Sequence, residues 1–319
     1  MNYELSNNLD IYIWDVGHGL SITVVTPSVS ESVGFASYSR RKVVQIDAGT
    51  NSDYDFSPIK HMVENRKLSV IDALVLTHPD LDHISDLANL TELVGQNKVQ
   101  VKVLSRNRTI PHSAISEDPS KECEAKSVYK DLDLEYTNPL NDAERLSNNP
   151  NFFGGVNFDH THLHYNEADK EFNNASVVFT AQFNKFQILI PGDLEGSGAE
   201  ELIKKRTLPS AIDGAWRILI APHHGRESAE PAQLLEHFKP DIVLASAKEG
   251  DEYTDPRYCN SKHILGVGVI ESDGRTVNQH KFRATKGEAF HITTDGQNKP
   301  TIKRFVYKQT VMQKRMFPW

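Results

Sequence analysis

The stretch Thr77-His78-Pro79-Asp80-Leu81-Asp82-His83-Ile84 decides both the fold and the chemistry of this chain. It follows an almost unbroken apolar run over residues 71–77, which predicts a strand covered on both faces, and it leads into a predicted helix over residues 84–94. Four of its side chains are of metal-binding types: His78, Asp80, Asp82 and His83. Two carboxylates and two imidazoles at the end of a buried strand would repel one another or stay poorly solvated unless a cation held them.

This crowding predicts a divalent metal site, and zinc or manganese suits it because both accept His nitrogen and Asp oxygen. The alternative is a loop that only caps the following helix, which Asp82 alone could do. Two later segments, Pro191-Gly192-Asp193 and Pro222-His223-His224-Gly225, supply groups of the same kind directly after apolar, strand-like runs. Side chains at several strand ends can meet at one sheet edge, so we expect the three segments to form one site.

The order of predicted elements indicates an α/β fold. Strands are predicted over residues 11–16, 21–26, 42–49, 71–77, 99–104, 175–183, 186–191, 216–221, 241–245, 289–294 and 301–307, and helices over 57–67, 84–94, 199–205 and 231–238. Strands at both ends with helices between them favour a four-layer αββα sandwich, built as one domain over residues 1–319. We expect a polar insertion at about residues 107–160 and a basic C-terminal segment at 299–319.

Composition excludes several classes of protein. The 319 residues are 38% hydrophobic and 24% charged, which disfavours disorder and coiled coil. No apolar run reaches the roughly 18 residues of a membrane span, and the polar N-terminus is not a signal peptide, so a cytoplasmic location without membrane contact is expected. Cys123 and Cys259 show no paired spacing. The net charge of −8 argues against overall attraction to nucleic acid.

With these motifs in order, the sequence resembles the metallo-β-lactamase fold hydrolases, in the branch typified by the metallo-β-lactamase domain of the competence DNA-uptake protein ComEC. The matching segments are Asp15-Val16-Gly17-His18-Gly19, Ile46-Asp47-Ala48-Gly49, THPDLDHI, Asn174 with Ser176-Val177-Val178, Pro191-Gly192-Asp193, Pro222-His223-His224-Gly225, and residues 285–296 near the end. The resemblance implies two divalent ions, Zn²⁺ or Mn²⁺. His78 and Asp80 would hold one and Asp82 and His83 the other, with Asp193 bridging them and one of His223 and His224 completing the shell.

The resemblance also implies a nucleophilic hydroxide between the ions, with Asp82 and Asp193 as the catalytic carboxylates. The chain departs from the family pattern where Asp80 replaces a usual His, a change that favours a harder ion such as manganese. The mid-chain His motif of the lactamases is missing, which weakens a β-lactam substrate. Asp255, in Thr254-Asp255-Pro256, stands where relatives carry a late motif and is either a ligand or a turn residue.

Three other features have alternative interpretations. His160, His162 and His164 alternate along one segment and are either a substrate-binding or extra metal-binding strand face or, more simply, a polar edge strand. Asp47 either orients a metal-bound His or shapes a turn. The basic segment 299–319, with interleaved aromatic residues, either grips a nucleic-acid backbone or is an ordinary solvated surface.

The leading functional hypothesis is a metal-dependent phosphodiester hydrolase, specifically a nuclease, whose partner is nucleic acid. A small-molecule phosphoesterase of the phosphorylcholine or cyclic-nucleotide type is the alternative, followed by a lactonase or thioesterase. A hypothesis of another class is a metal-binding component of a multi-protein defence or DNA-uptake system, which would have a protein partner.

Overall fold

The computed structural model describes residues 5–33, 36–115, 124–137, 146, 149–248 and 255–306. Seventeen strands lie in these ranges: β1 Leu9–Ile13, β2 Ile22–Val33, β3 Ala36–Ile46, β4 Val70–Ile71, β5 Ala73–Val75, β6 Gln100–Val101, β7 Leu104–Ser105, β8 Asn157–Thr161, β9 Val178–Phe183, β10 Phe186–Ile190, β11 Trp216–Ile220, β12 Ile242–Ala245, β13 Val267–Ile270, β14 Thr276–His280, β15 Phe282–Ala284, β16 Ala289–Thr294 and β17 Thr301–Phe305. The α-helices are α1 Pro58–Lys60, α2 Leu81–Ile84, α3 Leu87–Gly95, α4 His112–Ile115, α5 Glu124–Glu135, α6 Gly196–Lys204, α7 Ala232–Phe238 and α8 Arg257–Asn260.

Two large sheets organise these elements. The nine-stranded sheet has the order β14-β13-β17-β16-β1-β2-β3-β5-β7, and the six-stranded sheet has the order β15-β12-β11-β10-β9-β8. In the first sheet β5 pairs in parallel with β3 and β7. In the second, β11 pairs in parallel with β10 and β12. The parallel pairs follow from the helices that return the chain between these strands.

Alternation of side chains along the strands creates two hydrophobic layers. On β10, Ile188 and Ile190 join an apolar cluster shared by both sheets, whereas Leu189 joins the cluster that contains the helix residues. Helix α3 contributes Leu90 and helix α7 contributes Phe238 to this second cluster. Each sheet is therefore covered by the other sheet on one face and by helices on the other face. The chain has the α/β sandwich architecture that the sequence predicted.

Some elements differ from the sequence-based expectation. The predicted break between residues 26 and 42 is instead the extended hairpin β2–β3, whose register runs from Ile22 opposite Ile46 to Val33 opposite Ala36. Alternating Ser and charged residues hide this strand signal because both faces of the outer hairpin are polar. The predicted helix over 57–67 is the short α1 followed by a π-helical turn, His61–Asn65. The polar insertion contains α4 and α5 in its described part.

The histidine-rich segment is only partly a strand. β8 ends at Thr161 and lies at the edge of the six-stranded sheet, so it includes His160 but not His162 or His164. The expectation that all three imidazoles share one strand face is therefore wrong, while the edge-strand interpretation is confirmed for His160. Within the described ranges, no helix combines the length and the apolar character that a membrane crossing requires.

Candidate metal centre

The candidate centre lies where three chain segments leave their strands. The motif THPDLDHI follows β5, Asp193 follows β10, and the His223-His224 pair follows β11. Gly192 adopts a left-handed conformation with φ of 60°, and a Cβ there would lie 2.8 Å from Thr77 Cβ. This turn therefore needs glycine, because any side chain would push the Asp193 loop away from the segment THPDLDHI.

Four ligand-type side chains converge into one cluster: Asp82, His83, Asp193 and His224. One donor atom from each lies within 4.8 Å of the others. His83 Nε2 is 3.1 Å from Asp193 Oδ1, and His224 Nε2 is 3.4 Å from Asp193 Oδ2 and 3.3 Å from Asp82 Oδ2. Asp193 thus occupies the middle of the cluster, between two imidazoles, and its role as a bridge between two ions stays a prediction.

The imidazoles of His78, His83 and His224 share an unusual feature. Their Nε2 atoms are buried and make no hydrogen bond of good geometry to any described residue. Leaving a buried polar atom without a partner costs about 1 to 3 kcal/mol, and three such atoms close together are rare in folded proteins. A divalent cation would satisfy all three nitrogen lone pairs. The residues present therefore fit a metal site.

Asp47 and Thr77 fix the orientation and tautomer of two of these imidazoles. His83 Nδ1 lies 2.7 Å from Asp47 Oδ2, which also accepts the Thr77 hydroxyl hydrogen at 2.7 Å. Because the Thr77 hydroxyl donates to Asp47, it accepts from His78 Nδ1, 3.0 Å away. Both imidazoles then carry the proton on Nδ1 and present the Nε2 lone pair to the cluster, as metal-ligating histidines do.

The balance of charge between the buried carboxylates and imidazoles also indicates a cation at this centre. Burial opposes ionisation of Asp193, but His224 and His83 outweigh it and hold the pKa of that carboxyl well below its usual range. Burial lowers the pKa of His224, but Asp193 and Asp82 more than offset this and raise the pKa to about 9. The same competition raises the pKa of His83, beside Asp193 and Asp47, well above its usual value. The buried carboxylates thus require positive charge, which protons or metal ions can supply.

His78 and Asp80 form a second pair of ligand-type side chains beside the four-residue cluster. His78 Nε2 is 3.5 Å from Asp80 Oδ2, and the His78 and His83 ring centroids are 4.1 Å apart. Asp80 occupies the N-cap position of α2, but its side chain makes no capping hydrogen bond. Asp82, the residue of the helix-cap alternative, lies within α2 and its carboxylate faces His224 Nε2 at 3.3 Å, which disfavours that alternative.

The two consecutive histidines, His223 and His224, have different surroundings. His224 joins the cluster, whereas His223 Nε2 is 3.8 Å from Asp193 Oδ2 and its Nδ1 lies near Ser228 Oγ and Glu195 Oε1, at 3.1 and 3.4 Å. Both residues have left-handed backbone conformations, with φ of 47° and 58°. Two consecutive non-glycine residues in this region store strain, which functional sites commonly do. The geometry favours His224 as the ligand.

Asp255 lies outside the cluster. Its buried carboxylate accepts hydrogen bonds from the backbone N–H and the side chain of Arg257, at 2.7 and 2.9 Å. The Asp255 N–H donates to Gly225 O, which ties this turn to the His224 loop. The arrangement favours the turn interpretation of Asp255 over the ligand interpretation.

The described part of the basic C-terminal segment lies away from the centre. Lys299 Nζ is 5.7 Å from the Trp216 ring centroid, at the start of β11, whereas the histidine pair follows the end of β11, about 15 to 20 Å further along the chain direction. Arg304 pairs with Glu271 and Glu288 at 3.0 and 2.9 Å. Residues 307–319, including Lys308, lie outside the described residues.

Two contributors to the centre were not identified as site residues from sequence. They are Thr77, at the end of a predicted strand, and Ser176, in a segment that carries the family resemblance. Ser176 Oγ accepts from the Asp193 N–H at 3.3 Å and lies 3.4 Å from His78 Nδ1. Serine and threonine hydroxyls are too common in loops to signal such a role. Thr77 directly precedes His78, which is a weak sequence signal, whereas Ser176 stands between Ala175 and Val177 and carries none.

The fold and the site together define an α/β sandwich with a candidate metal centre at its loop edge. Residues 38–168 match the model of the family described as the Metallo-beta-lactamase superfamily. That range contains the motif THPDLDHI, whereas Asp193 and His224 lie beyond it. The ComEC-like branch of the family stays a prediction.

Two solved structures are similar at low identity. A new diphosphatase from the PhnP family is 13% identical, with a TM-score of 0.41 over 90% of this chain and 98% of the other. A long form RNase Z from yeast is 14% identical, with a TM-score of 0.41 over 100% of this chain and 44% of the other, so this chain spans less than half of that enzyme. No match was found among curated proteins.

Proposed function

We propose that this protein is a metal-dependent hydrolase of phosphodiesters. The observation that carries the proposal is the convergence of two buried, unsatisfied imidazole nitrogens, those of His83 and His224, on the carboxylates of Asp82 and Asp193. The third such nitrogen, that of His78, lies beside the Asp80 carboxylate. When bound, divalent ions at such a site supply a water nucleophile that ionises near neutral pH and charge that compensates a phosphoryl oxyanion. We propose Asp82, His83, Asp193 and His224 as ligands, with His78 and Asp80 as ligands of a second ion.

The burial of the ligands supports an open, reactive centre. The side chains of His78 and His83 are 0% exposed, whereas those of Asp80 and Asp82 are 41% and 38% exposed. Catalytic sites keep positions open to water and substrate, whereas structural metal sites are closed. Other residues of the chain hold the ligand side chains in place. Asp47 and Thr77 keep the protons of His83 and His78 on Nδ1, and the strained His223-His224 turn directs the His224 imidazole toward Asp193.

Nucleic acid strands are the substrate that we propose to test first, because divalent ions beside the exposed Asp80 and Asp82 side chains would be within reach of a phosphate group in an extended backbone. Small phosphoesters are the second candidate. The net charge of −8 and the pairing of Arg304 with two glutamates both reduce attraction to a polyanion. Membership of a multi-protein defence or uptake system, with a protein partner, stays a prediction.

One experiment separates these possibilities. Purified protein is loaded with zinc or with manganese and assayed against single-stranded DNA, double-stranded DNA, RNA and a phosphodiester reporter. Strand cleavage supports the nuclease proposal. Hydrolysis of the reporter alone supports a small-molecule substrate, and no hydrolysis of any of the four with full metal occupancy contradicts the phosphodiesterase proposal.

A further inference from the structure

A cavity between α7 and α8 lies apart from the candidate metal centre. Its volume is about 330 Å³, which is within the range of small-molecule sites, and none of its lining residues belongs to the metal-binding cluster. Ala232 and Leu235 of α7 supply apolar surface, whereas Arg257 of α8 and residues 260–263 supply polar groups. Apolar surface combined with a few polar groups is typical of pockets that bind small ligands.

Two of the lining side chains carry opposite charges that do not neutralise each other. Glu236 and Lys262 are both exposed, and neither forms an ion pair or a side-chain hydrogen bond with another residue in the described part of the chain. The carboxylate and the ammonium group therefore line one cavity but lie too far apart for an ion pair. Each charge is available to a ligand.

Arg257 also lines the cavity, but its charge is already balanced. Its Nη2 lies 2.5 Å from Oδ2 of Asp255, a residue whose side chain is 1% exposed. A hydrogen bond of 3.3 Å from Arg257 Nη2 to Glu227 O further fixes the guanidinium. With histidine counted as neutral, the unbalanced charges of the lining are thus one negative and one positive. A ligand complementary to them carries both charges.

We propose that this cavity binds a small zwitterion with an apolar body, which is the chemistry of a free α-amino acid with an apolar side chain. The ammonium group of the ligand binds Glu236, its carboxylate binds Lys262, and its apolar part covers Leu235 and Ala232. A ligand with a single charge leaves one of the two lining charges without a partner, and therefore binds more weakly. The inference is independent of the proposed hydrolase function, because it uses none of the proposed metal ligands.

Three probes that share a phenyl group separate the contributions of the two charges. L-phenylalanine carries both charges, 3-phenylpropionate carries only the negative one, and 2-phenylethylamine carries only the positive one. Their affinities for the zinc-loaded protein are measured calorimetrically at neutral pH. One hydrogen-bonded charge contact corresponds to about a tenfold change in affinity, so L-phenylalanine should bind about tenfold more tightly than either of the other probes.

Two substitutions remove the charges one at a time with little change in side-chain size. Glu236→Gln should weaken the binding of L-phenylalanine about tenfold without weakening that of 3-phenylpropionate. Lys262→Met should weaken the binding of L-phenylalanine and of 3-phenylpropionate about tenfold without weakening that of 2-phenylethylamine. Glu200→Gln and Lys185→Met remove exposed charges elsewhere and are the matched controls, which should bind all three probes as the wild type does.

Equal affinity of the wild type for the three probes, or no binding of L-phenylalanine at millimolar concentration, would overturn the proposal. Binding of L-phenylalanine that survives both substitutions would also overturn it, because the amino acid would then be held elsewhere, for example by the zinc ions. Ala232→Trp, at an exposed position of α7, should block all three probes while the circular dichroism spectrum stays unchanged. A protein that binds L-phenylalanine in this way but hydrolyses no phosphodiester would refute the proposed function alone.

Discussion

His83 Nδ1 lies 2.7 Å from Asp47 Oδ2, although the two residues are 36 positions apart and leave different strands of one sheet. Asp47 follows β3, and the segment THPDLDHI follows β5. These two strands pair in parallel, with Val75 opposite Ile46. The parallel pairing brings both strand ends to one edge. Asp47 itself has a φ of 53°, so it serves at once as a turn residue and as the carboxylate that orients His83. The two interpretations of Asp47 offered by the sequence are therefore compatible.

Replacement of Asp47 by Asn should weaken metal binding about 10- to 100-fold while preserving the fold. Asn tolerates the left-handed backbone that Asp47 adopts, so the substitution removes the charge without adding strain. The measurement is a competition titration with a metal chelator, alongside circular dichroism. An affinity equal to that of the wild type would show that the His83 orientation does not depend on the carboxylate charge.

The purified protein should bind close to two divalent ions per chain. Six ligand-type side chains, His78, Asp80, Asp82, His83, Asp193 and His224, are enough for two sites that share Asp193. Elemental analysis after loading and desalting gives the ratio. A content below half an ion per chain would refute the prediction, and a value near one would restrict the centre to the four-residue cluster.

Asp193→Ala should abolish turnover and lower metal occupancy while the protein remains folded. The Asp193 carboxylate lies beside His83 and His224, and its loss leaves these imidazoles without their central anion. Asp213→Ala removes an exposed carboxylate and is the matched control. Activity at the wild-type level in Asp193→Ala would contradict the bridging assignment.

Asp80→His should have a milder effect and shift metal preference from manganese toward zinc. Imidazole is a softer donor than carboxylate, and the Asp80 side chain is 41% exposed, so the larger ring can be accommodated. The test compares activities and affinities of both loaded forms. A preference that stays with manganese would indicate that Asp80 does not contact the ion.

Asp86 should make stability depend on pH in the acidic range. Its burial raises the pKa to about 6 despite hydrogen bonds from Ser57, Asn89 and the Ile59 N–H. Because the folded pKa exceeds the unfolded value of 3.8, the protonated form favours folding. The stabilisation is full below pH 3.8 and is lost as pH rises through 6, a change of about 3 kcal/mol.

Asp86→Asn removes this titration. The difference in unfolding free energy between wild type and Asp86→Asn should therefore change by about 2 kcal/mol, against the wild type, between pH 4 and pH 7. Denaturant titrations of both proteins at each pH, with metal removed, measure the difference. A difference that is constant across this range would show that Asp86 does not titrate there.

The sequence by itself determined the features that depend on neighbours along the chain. The motif THPDLDHI, the Gly192-Asp193 turn and the His223-His224 pair each follow an apolar run, and local periodicity locates such strand ends without knowledge of the rest of the fold. The α/β sandwich follows from the same alternation of strands and helices.

Only the tertiary structure decided which of these side chains meet. His224 rather than His223 faces Asp193 because both histidines adopt a left-handed backbone conformation, which the sequence does not predict for residues other than glycine. Asp255 forms an ion pair with Arg257, and Arg304 forms one with Glu271. These pairings depend on packing rather than on composition.

The contact between His18 and Arg226 joins residues 208 positions apart. Only the docking of their two loops beside the segment THPDLDHI can bring such distant groups within 3.2 Å.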